Sequence, residues 1–341
     1  MKATDFSKYI TDFFMKYLTH ERGVSNNTIS SYRDTFILLS MFMEEEKHIK
    51  LNKLILDDIT QDVIIDFLDW LQTNRNCSAS TRNQRLAVIR SFFGYIQYRN
   101  PEYMHECHRI MSIKLKKAPQ KTIRYLTIEG IKLLLEQPDR TTQKGRRDLA
   151  ILSLMYDAGA RIQEVIDLNA NSCRLTRPYT LQIAGKGNKT RIVPLMEGQV
   201  EILRNYMIEN KLSEPYAGEY SLFSNSRKQK FTRAGITNIF LKYVEMAREV
   251  NPKVIPKNLS CHSLRHSKAM HLLQAGVNLV YIRDILGHVS VQTTEIYAKA
   301  DAKLKREALE KAYVDVQPVD VATAIWIEDQ DLKNWLISLG N

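Results

Sequence analysis

The segment Cys261-His262-Ser263-Leu264-Arg265-His266 sets an imidazole and a guanidinium three residues apart. On a helix that spacing is about 300° of rotation, so both groups share one face, a turn apart. Such a pair suits an anionic oxygen: arginine supplies a fixed fork of donors, and histidine exchanges a proton near neutral pH. Metal binding competes, because His262 and His266 are also spaced i, i+4. Position 263 is Ser, however, where a zincin helix carries its Glu base, and no third ligand stands nearby. The residues favour anion chemistry, and no metal is expected.

The other candidate groups lie at joints between elements. Arg161 follows Asp157-Ala158-Gly159-Ala160, where one apolar helix ends and another begins at Ile162. Alone it reads equally well as a structural arginine paired with Glu164, three residues on. In Leu286-Gly287-His288-Val289-Ser290, Gly287 ends a helix and Ser290 can cap the next. That leaves His288 in the joint and Tyr297 on the following helix. A single tyrosine at helical spacing is ordinarily a core residue. Lys186 sits in the hairpin turn Gly185-Lys186-Gly187-Asn188-Lys189; a turn lysine is ordinarily a solvated charge, but the flanking glycines let this one reach into a groove.

Composition bounds what must position these groups. The chain has 341 residues, 44% hydrophobic and 26% charged, a globular balance that excludes a disordered or fibrous chain. At roughly 100–200 residues per domain, this length suits two domains with cores of their own, or one large one. Lys and Arg outnumber Asp and Glu, and the formal charge of +11 points to a polyanion, either nucleic acid or an acidic membrane. No apolar run approaches the roughly 18 residues that would span a bilayer. Met1-Lys2-Ala3-Thr4-Asp5 enters an amphipathic pattern with no secretory h-region. Four scattered cysteines (Cys77, Cys107, Cys173, Cys261) form no CxxC pair, so neither a disulfide scaffold nor a zinc ribbon is expected, and a reducing cytosol fits. Nucleic acid remains.

The expected architecture is mainly α with a small antiparallel sheet, in two domains. Over residues 1–112 apolar residues recur with a helical period. The pattern predicts helices over Phe6–Tyr17, from Asn26-Asn27-Thr28, over Gln61–Thr73 behind a capping Thr60, and from Ser78–Ser80, in a bundle of four or five. Residues 113–124, with Lys114, Lys116, Lys117, Pro119 and Lys121, read as an exposed basic linker. Residues 125–314 predict a second domain with helices over Ile128–Glu136 and Arg146–Gly159 and strand alternation across Thr180–Pro194. Helices follow near 197–210, 232–249, 262–275, 278–286, 290–298 and 301–313. Residues 315–341 form a tail with Trp326, Trp335 and Leu336 as anchors.

Arginine, hairpin lysine, HxxR, GH and tyrosine, in that order, resemble the tyrosine recombinase (phage integrase) family. The matching stretches are Asp157–Leu168, Ile183–Leu195 (IAGKGNKTRIVPL), His262–Gly276 (HSLRHSKAMHLLQAG) and Leu286–Ala298 (LGHVSVQTTEIYA). One such element is weak; six filled positions in order and spacing are specific, closest to Xer-like or transposon-encoded integrases. More loosely, Ser25–Tyr32 and Thr81–Leu86 are similar to helices of the family's N-terminal core-binding, SAM-like domain, with the tyrosine-recombinase catalytic domain following. The resemblance implies a site-specific DNA recombinase that cleaves and rejoins duplex DNA through a 3′-phosphotyrosine. Strands would be exchanged between two sites in integration, excision, transposition or resolution. It assigns Tyr297 as nucleophile, Arg161 and Arg265 to the non-bridging phosphate oxygens, and Lys186 to the departing 5′-oxygen. His262 takes the tyrosine proton, His288 bonds the phosphate, and Glu164 orients Arg161. No cofactor is implied, neither metal nor ATP.

Helix position and family likeness together nominate DNA contacts. They are Asn27, Thr28, Ser30, Ser80, Arg82, Asn83, Arg85 and Arg90 in the first domain, and Lys114, Lys116, Lys117 and Lys121 in the linker. Lys189, Arg191 and Lys257 follow in the second. His266 reads as packing or as a contact to the DNA backbone. The implied partners are double-stranded DNA with inverted-repeat core sites and a homotetramer on two sites, assembled from monomers or dimers, with room for an accessory DNA-bending or directionality protein. The implied setting is the bacterial cytoplasm, at the nucleoid when bound. The tail would dock on a neighbouring protomer or fold back on its own domain, and the short leader before residue 6 argues against an arm-binding domain within the chain. Two rivals stand beside this reading: a DNA-binding module with vestigial chemistry, and a type IB topoisomerase, which shares the phosphotyrosine chemistry but relaxes supercoils.

Overall fold

The computed structural model describes residues 3–119, 122–185, 189–288 and 290–300. The expectations placed on Lys121, Lys186, the 301–313 helix and the tail 315–341 lie outside the described residues. The chain divides into two compact units, Met1–Lys121 and Thr122–Asn341.

The first unit is helical: α1 (Asp5–Asp12), α2 (Asn26–Glu45), α3 (Gln61–Thr73), α4 (Ala79–Ile96) and α5 (Met104–Met111). Hydroxyl caps set the starts. Ser25, Thr60 and Ser78 each accept a backbone N–H three residues on, which satisfies a donor the helix itself leaves unpaired. The expected Phe6–Tyr17 helix is instead α1 followed by a π-helical stretch over Phe13–Glu21, a widened turn that apolar spacing cannot distinguish from α. There Phe13, fully buried, meets Phe92 at 5.2 Å and Tyr95 at 5.3 Å between ring centroids. Edge and tilted aromatic contacts of this kind close the unit's core.

The second unit contains α6 (Ile128–Glu136), α7 (Gln143–Asp157), α8 (Ile162–Asp167), β1 (Cys173–Arg174), β2 (Thr180–Ala184) and β3 (Thr190–Pro194). After the sheet come α9 (Glu197–Glu209), α10 (Arg233–Val250), α11 (Cys261–Gln274), α12 (Leu279–Leu286) and α13 (Gln292–Ala300). The sheet is antiparallel in the order β1-β2-β3, with Leu181 opposite Val193 and Ile183 opposite Arg191. Leu181, Ile183 and Val193 are buried, so the period of two turns one face of the hairpin inward. β1, only two residues long, carried no alternation to read. Gly185 N–H donates to Lys189 O at 2.8 Å and closes the base of the turn. Among the described residues no helix is long and apolar enough to cross a membrane.

Candidate active site

Three arginines meet at the end of one helix. α12 stops at Gly287, whose φ of +63° is the left-handed conformation that glycine adopts without a Cβ penalty. Gly287 N–H returns to Asp284 O at 3.1 Å and His288 N–H to Arg283 O at 3.0 Å. The carbonyls of Ile285, Leu286 and Gly287 are then free to accept from outside the helix. Each takes a different guanidinium: Arg191 Nε on Ile285 O at 2.9 Å, Arg265 NH2 on Leu286 O at 2.5 Å, and Arg161 NH2 on Gly287 O at 3.3 Å. Carbonyl oxygens at the negative end of the helix dipole offset the mutual repulsion of these cations.

Arg265 is fully buried, and its NH1 also donates to Gly159 O at 2.7 Å. Gly159 is itself left-handed at φ +55°, and a Cβ there would stand 2.7 Å from Leu286 Cδ2, so a side chain at this joint would be strained. Burial, then the neighbouring Arg161, pull the Arg265 pKa down to about 9, which still leaves a cation at neutral pH. Arg161 is the N-cap residue of α8 and stays over a third exposed. Its NH1 donates to Glu164 Oε1 at 2.7 Å and its backbone N–H to Oε2 at 2.8 Å. Arg191 grips the same carboxylate with NH1 on Oε1 at 3.0 Å and NH2 on Oε2 at 2.7 Å. Burial alone would raise the Glu164 carboxyl, but the Arg191 fork and the Arg161 contacts outweigh it and hold the group below the usual range.

The histidines and the tyrosine line the adjacent space. Tyr297, on α13, is 1% exposed, and its hydroxyl meets His266 Nδ1 at 3.0 Å. The His262 and His266 rings meet edge-on with centroids 4.5 Å apart, and the His288 ring lies parallel to Tyr297 at 6.4 Å. His288 Nδ1 bonds Thr294 Oγ1 at 2.9 Å. Burial first, then the arginine cations and His262, push His288 down to about 4. Burial, His262 and Arg265 do the same for His266. His262, more exposed, is lowered for the same reasons. At neutral pH both His266 and His288 are therefore neutral, able to accept one hydrogen bond and donate another. Burial raises the Tyr297 phenol, while Arg265 and Arg161 pull it the other way.

The structure thus gathers Arg161, Glu164, His262, Arg265, His288 and Tyr297 in one place. It also adds His266, which sequence reading left as packing or a DNA contact. No sequence signal singled out His266 as the tyrosine's partner, because the bond joins α11 to a helix thirty residues on. Arg191 carried a signal: it lies two residues from buried Val193 in β3, on the same face of an alternating strand.

The nominated DNA contacts fall into two groups. Asn27, Ser80, Lys114, Lys117, Lys189 and Lys257 are exposed, and Thr28 and Ser30 are half-buried. Of the other described ones, Asn83, Lys116, Arg85, Arg90 and Arg191 bond within the protein and Arg82 is buried. Asn83 Nδ2 donates to Lys116 O at 2.8 Å while its Oδ1 accepts Lys116 N–H at 3.1 Å, a reciprocal pair that straps the start of the expected linker to α4. Lys116 Nζ reaches Asp69 at 3.0 Å and Gln72 at 2.6 Å. Arg85 NH1 donates to Ser31 O and Thr35 Oγ1, each at 3.0 Å, and Arg90 donates to Ile113 O. Arg82 is 4% exposed, and its Nε and NH1 find no partner among the described residues.

Known proteins share this organisation. Residues 124–303 match the phage integrase family, and residues 11–100 match the phage integrase N-terminal SAM-like domain. A Sinorhizobium fredii protein, whose name describes an integrase/recombinase (y4rC), is 34% identical over 339 residues, covering 99% of each chain. Tyrosine recombinase XerD of Staphylococcus haemolyticus is 32% identical over 292 residues, covering 84% of this chain and 92% of that one. Among solved structures, the XerH site-specific recombinase in a post-cleavage complex with palindromic difH substrate aligns with a TM-score of 0.66. Its sequence identity is 23%, over 86% of this chain and 82% of that one, a likeness of fold.

Proposed function

We propose that this chain, which belongs to the phage integrase family, is a site-specific DNA recombinase that breaks and rejoins duplex DNA through a phosphotyrosine at Tyr297. The observation that carries this reading is the meeting of Arg161 and Arg265 on adjacent carbonyls of one helix end, within electrostatic reach of the Tyr297 hydroxyl. Two cations fixed before the reaction match the charge that builds on two non-bridging oxygens as phosphorus becomes five-coordinate. Arg161 remains open enough for a ligand, whereas the Nε of buried Arg265 has no partner among the described residues.

Tyr297 attacks phosphorus, its proton passing to His266 Nδ1, which its hydroxyl meets, while His262, the proton acceptor of the family motif, lies beside that ring. The bond to the 5′-oxygen breaks, and Lys186, carried over from the family motif, supplies that oxygen's proton. His288, neutral and anchored on Thr294, bonds a phosphate oxygen. The phosphotyrosine keeps the energy of the broken ester, so attack by a different 5′-hydroxyl rejoins strands without an external energy source. Duplex DNA with inverted-repeat core sites is the substrate we infer, held by a homotetramer across two sites, and the exposed Asn27, Ser80, Lys189 and Lys257 are suited to its backbone.

The test uses nicked suicide duplexes made from the DNA flanking the gene. Wild type should form a covalent protein–DNA adduct and Tyr297→Phe none, with equal affinity for the intact duplex. An adduct in neither protein leaves a binding module. Adducts with supercoil relaxation but no exchange between two sites leave a topoisomerase.

A further inference from the structure

We propose that Arg191 is a positioning residue for the strand-cleavage step: from β3 its guanidinium locks Glu164 to the last turn of α12, so that Arg161, Arg265 and His288 form one rigid receptor for a phosphate. This inference rests on the recombinase reading above. Arg191 is nearly buried, with its side chain 11% exposed, and it spends a donor from each of its three nitrogens on the protein. Both oxygens of one carboxylate and one helix-terminal carbonyl are its acceptors, a set that only a planar fork can span. Glu164, engaged by Arg191 and Arg161 together, transmits that constraint to the guanidinium that faces the ligand.

The fit at Gly287 supports the assignment independently. A Cβ there would stand 2.8 Å from Arg191 NH1, 3.0 Å from its Cδ and 3.2 Å from its Cζ. The guanidinium therefore lies flat against the α-carbon of the residue whose turn delivers His288. A Cβ on Gly185, at the base of the hairpin turn, would also come within 3.8 Å of Arg191 NH1 and 4.0 Å of Glu164 Oε1. One side chain of the hairpin thus ties together two other segments that carry the site, α8 and the end of α12, while its own charge is offset by Glu164.

The decisive comparison is Arg191→Lys, which keeps the charge but not the fork, beside Arg191→Met, both in the full chain. On nicked duplex from the gene's flanks, both should bind with wild-type affinity and salt dependence, yet form the covalent adduct about 100-fold more slowly, the scale expected for displacing a catalytic group by an ångström. Without DNA, the His288 imidazole followed by NMR should titrate above its wild-type value of about 4 in Arg191→Lys, because a loosened helix end admits water. Wild-type cleavage by Arg191→Lys overturns the proposal, since charge alone would then suffice. So does a loss explained by weaker, less salt-sensitive binding, which makes Arg191 a DNA contact, or full recovery of cleavage well below each variant's Tm, which makes it a folding residue. Should Arg191→Met fail to fold, Arg191→Lys decides. A silent wild type counts against the recombinase reading, and the His288 titration still tests this one.

Discussion

The two units hold their arginines in opposite ways. In the catalytic unit three guanidiniums converge on three consecutive carbonyls, and the carboxylate beside them, Glu164, is shared by the half-buried Arg161 and the nearly buried Arg191. In the N-terminal unit Arg82, Arg85 and Arg90 fan out along α4, each with its own surroundings: a buried position where two nitrogens have no partner among the described residues, the Ser31–Thr35 turn, and the Ile113 carbonyl. Under the proposed function convergence would serve one phosphate, whereas the dispersed arginines are taken up by the fold of their own unit. Neutral acceptors serve both, because a carbonyl fixes a guanidinium without cancelling its charge.

The contrast breaks most visibly at Arg265. Arg265→Ala should lower the rate of adduct formation by about 10²–10³-fold, the scale for losing one preorganised donor to a developing oxyanion. It should also lower the unfolding free energy, because Gly159 O and Leu286 O lose their donor at about 1–3 kcal/mol each. Affinity for intact duplex should change far less; a drop in affinity as large as the drop in rate would place Arg265 in binding and not in chemistry.

Gly287→Ala comes next. A side chain at φ +63° and 2.8 Å from Arg191 NH1 should cost about 1–3 kcal/mol in denaturant unfolding and slow cleavage as Arg191→Lys does. If it cleaves like wild type, the helix end tolerates displacement and convergence is not needed.

Acid should weaken the catalytic unit selectively. The folded pKa values of His266 and His288, about 4, lie below the ordinary 6.5. Between those values the unfolded chain binds protons that the folded chain does not, so stability is complete above about 6.5 and falls as pH drops toward 4. Melting curves across that window should flatten in His266→Asn; an unchanged slope would mean that His266 is already charged in the fold.

The smallest effects belong to the dispersed set. Arg85→Gln should reduce the salt slope of DNA binding by about one and leave the cleavage rate of bound DNA unaltered. Arg82→Glu, by contrast, should destabilise the unit, because it buries an unpaired carboxylate in a position that is 4% exposed. Lys116→Met should remove an exposed ion pair with Asp69 worth about 0–1 kcal/mol. Equal and large binding losses at Arg82 and Arg85 would show that α4 is also a focused receptor.

Much of this was legible in the residues themselves. Caps at Thr60, Ser78 and Thr127, alternation in Thr180–Pro194 and the glycine stop at 287 mark elements through local rules, because a cap or a left-handed turn is decided within four residues of chain. The order of Arg161, HxxR, GH and Tyr297, through its resemblance to the family, likewise nominated the side chains on which the proposed chemistry rests. The local Arg161–Glu164 pair could be read from spacing, but only the tertiary structure could decide what Arg191, Arg265 and Arg85 touch. Arg191 and Arg85 are both basic residues of helices and strands in a chain of net charge +11, yet one is spent on Glu164 and the other on Ser31 and Thr35. Which acceptors a guanidinium meets depends on segments 27 to 126 residues away in sequence, and on their summed field, neither of which any local pattern encodes.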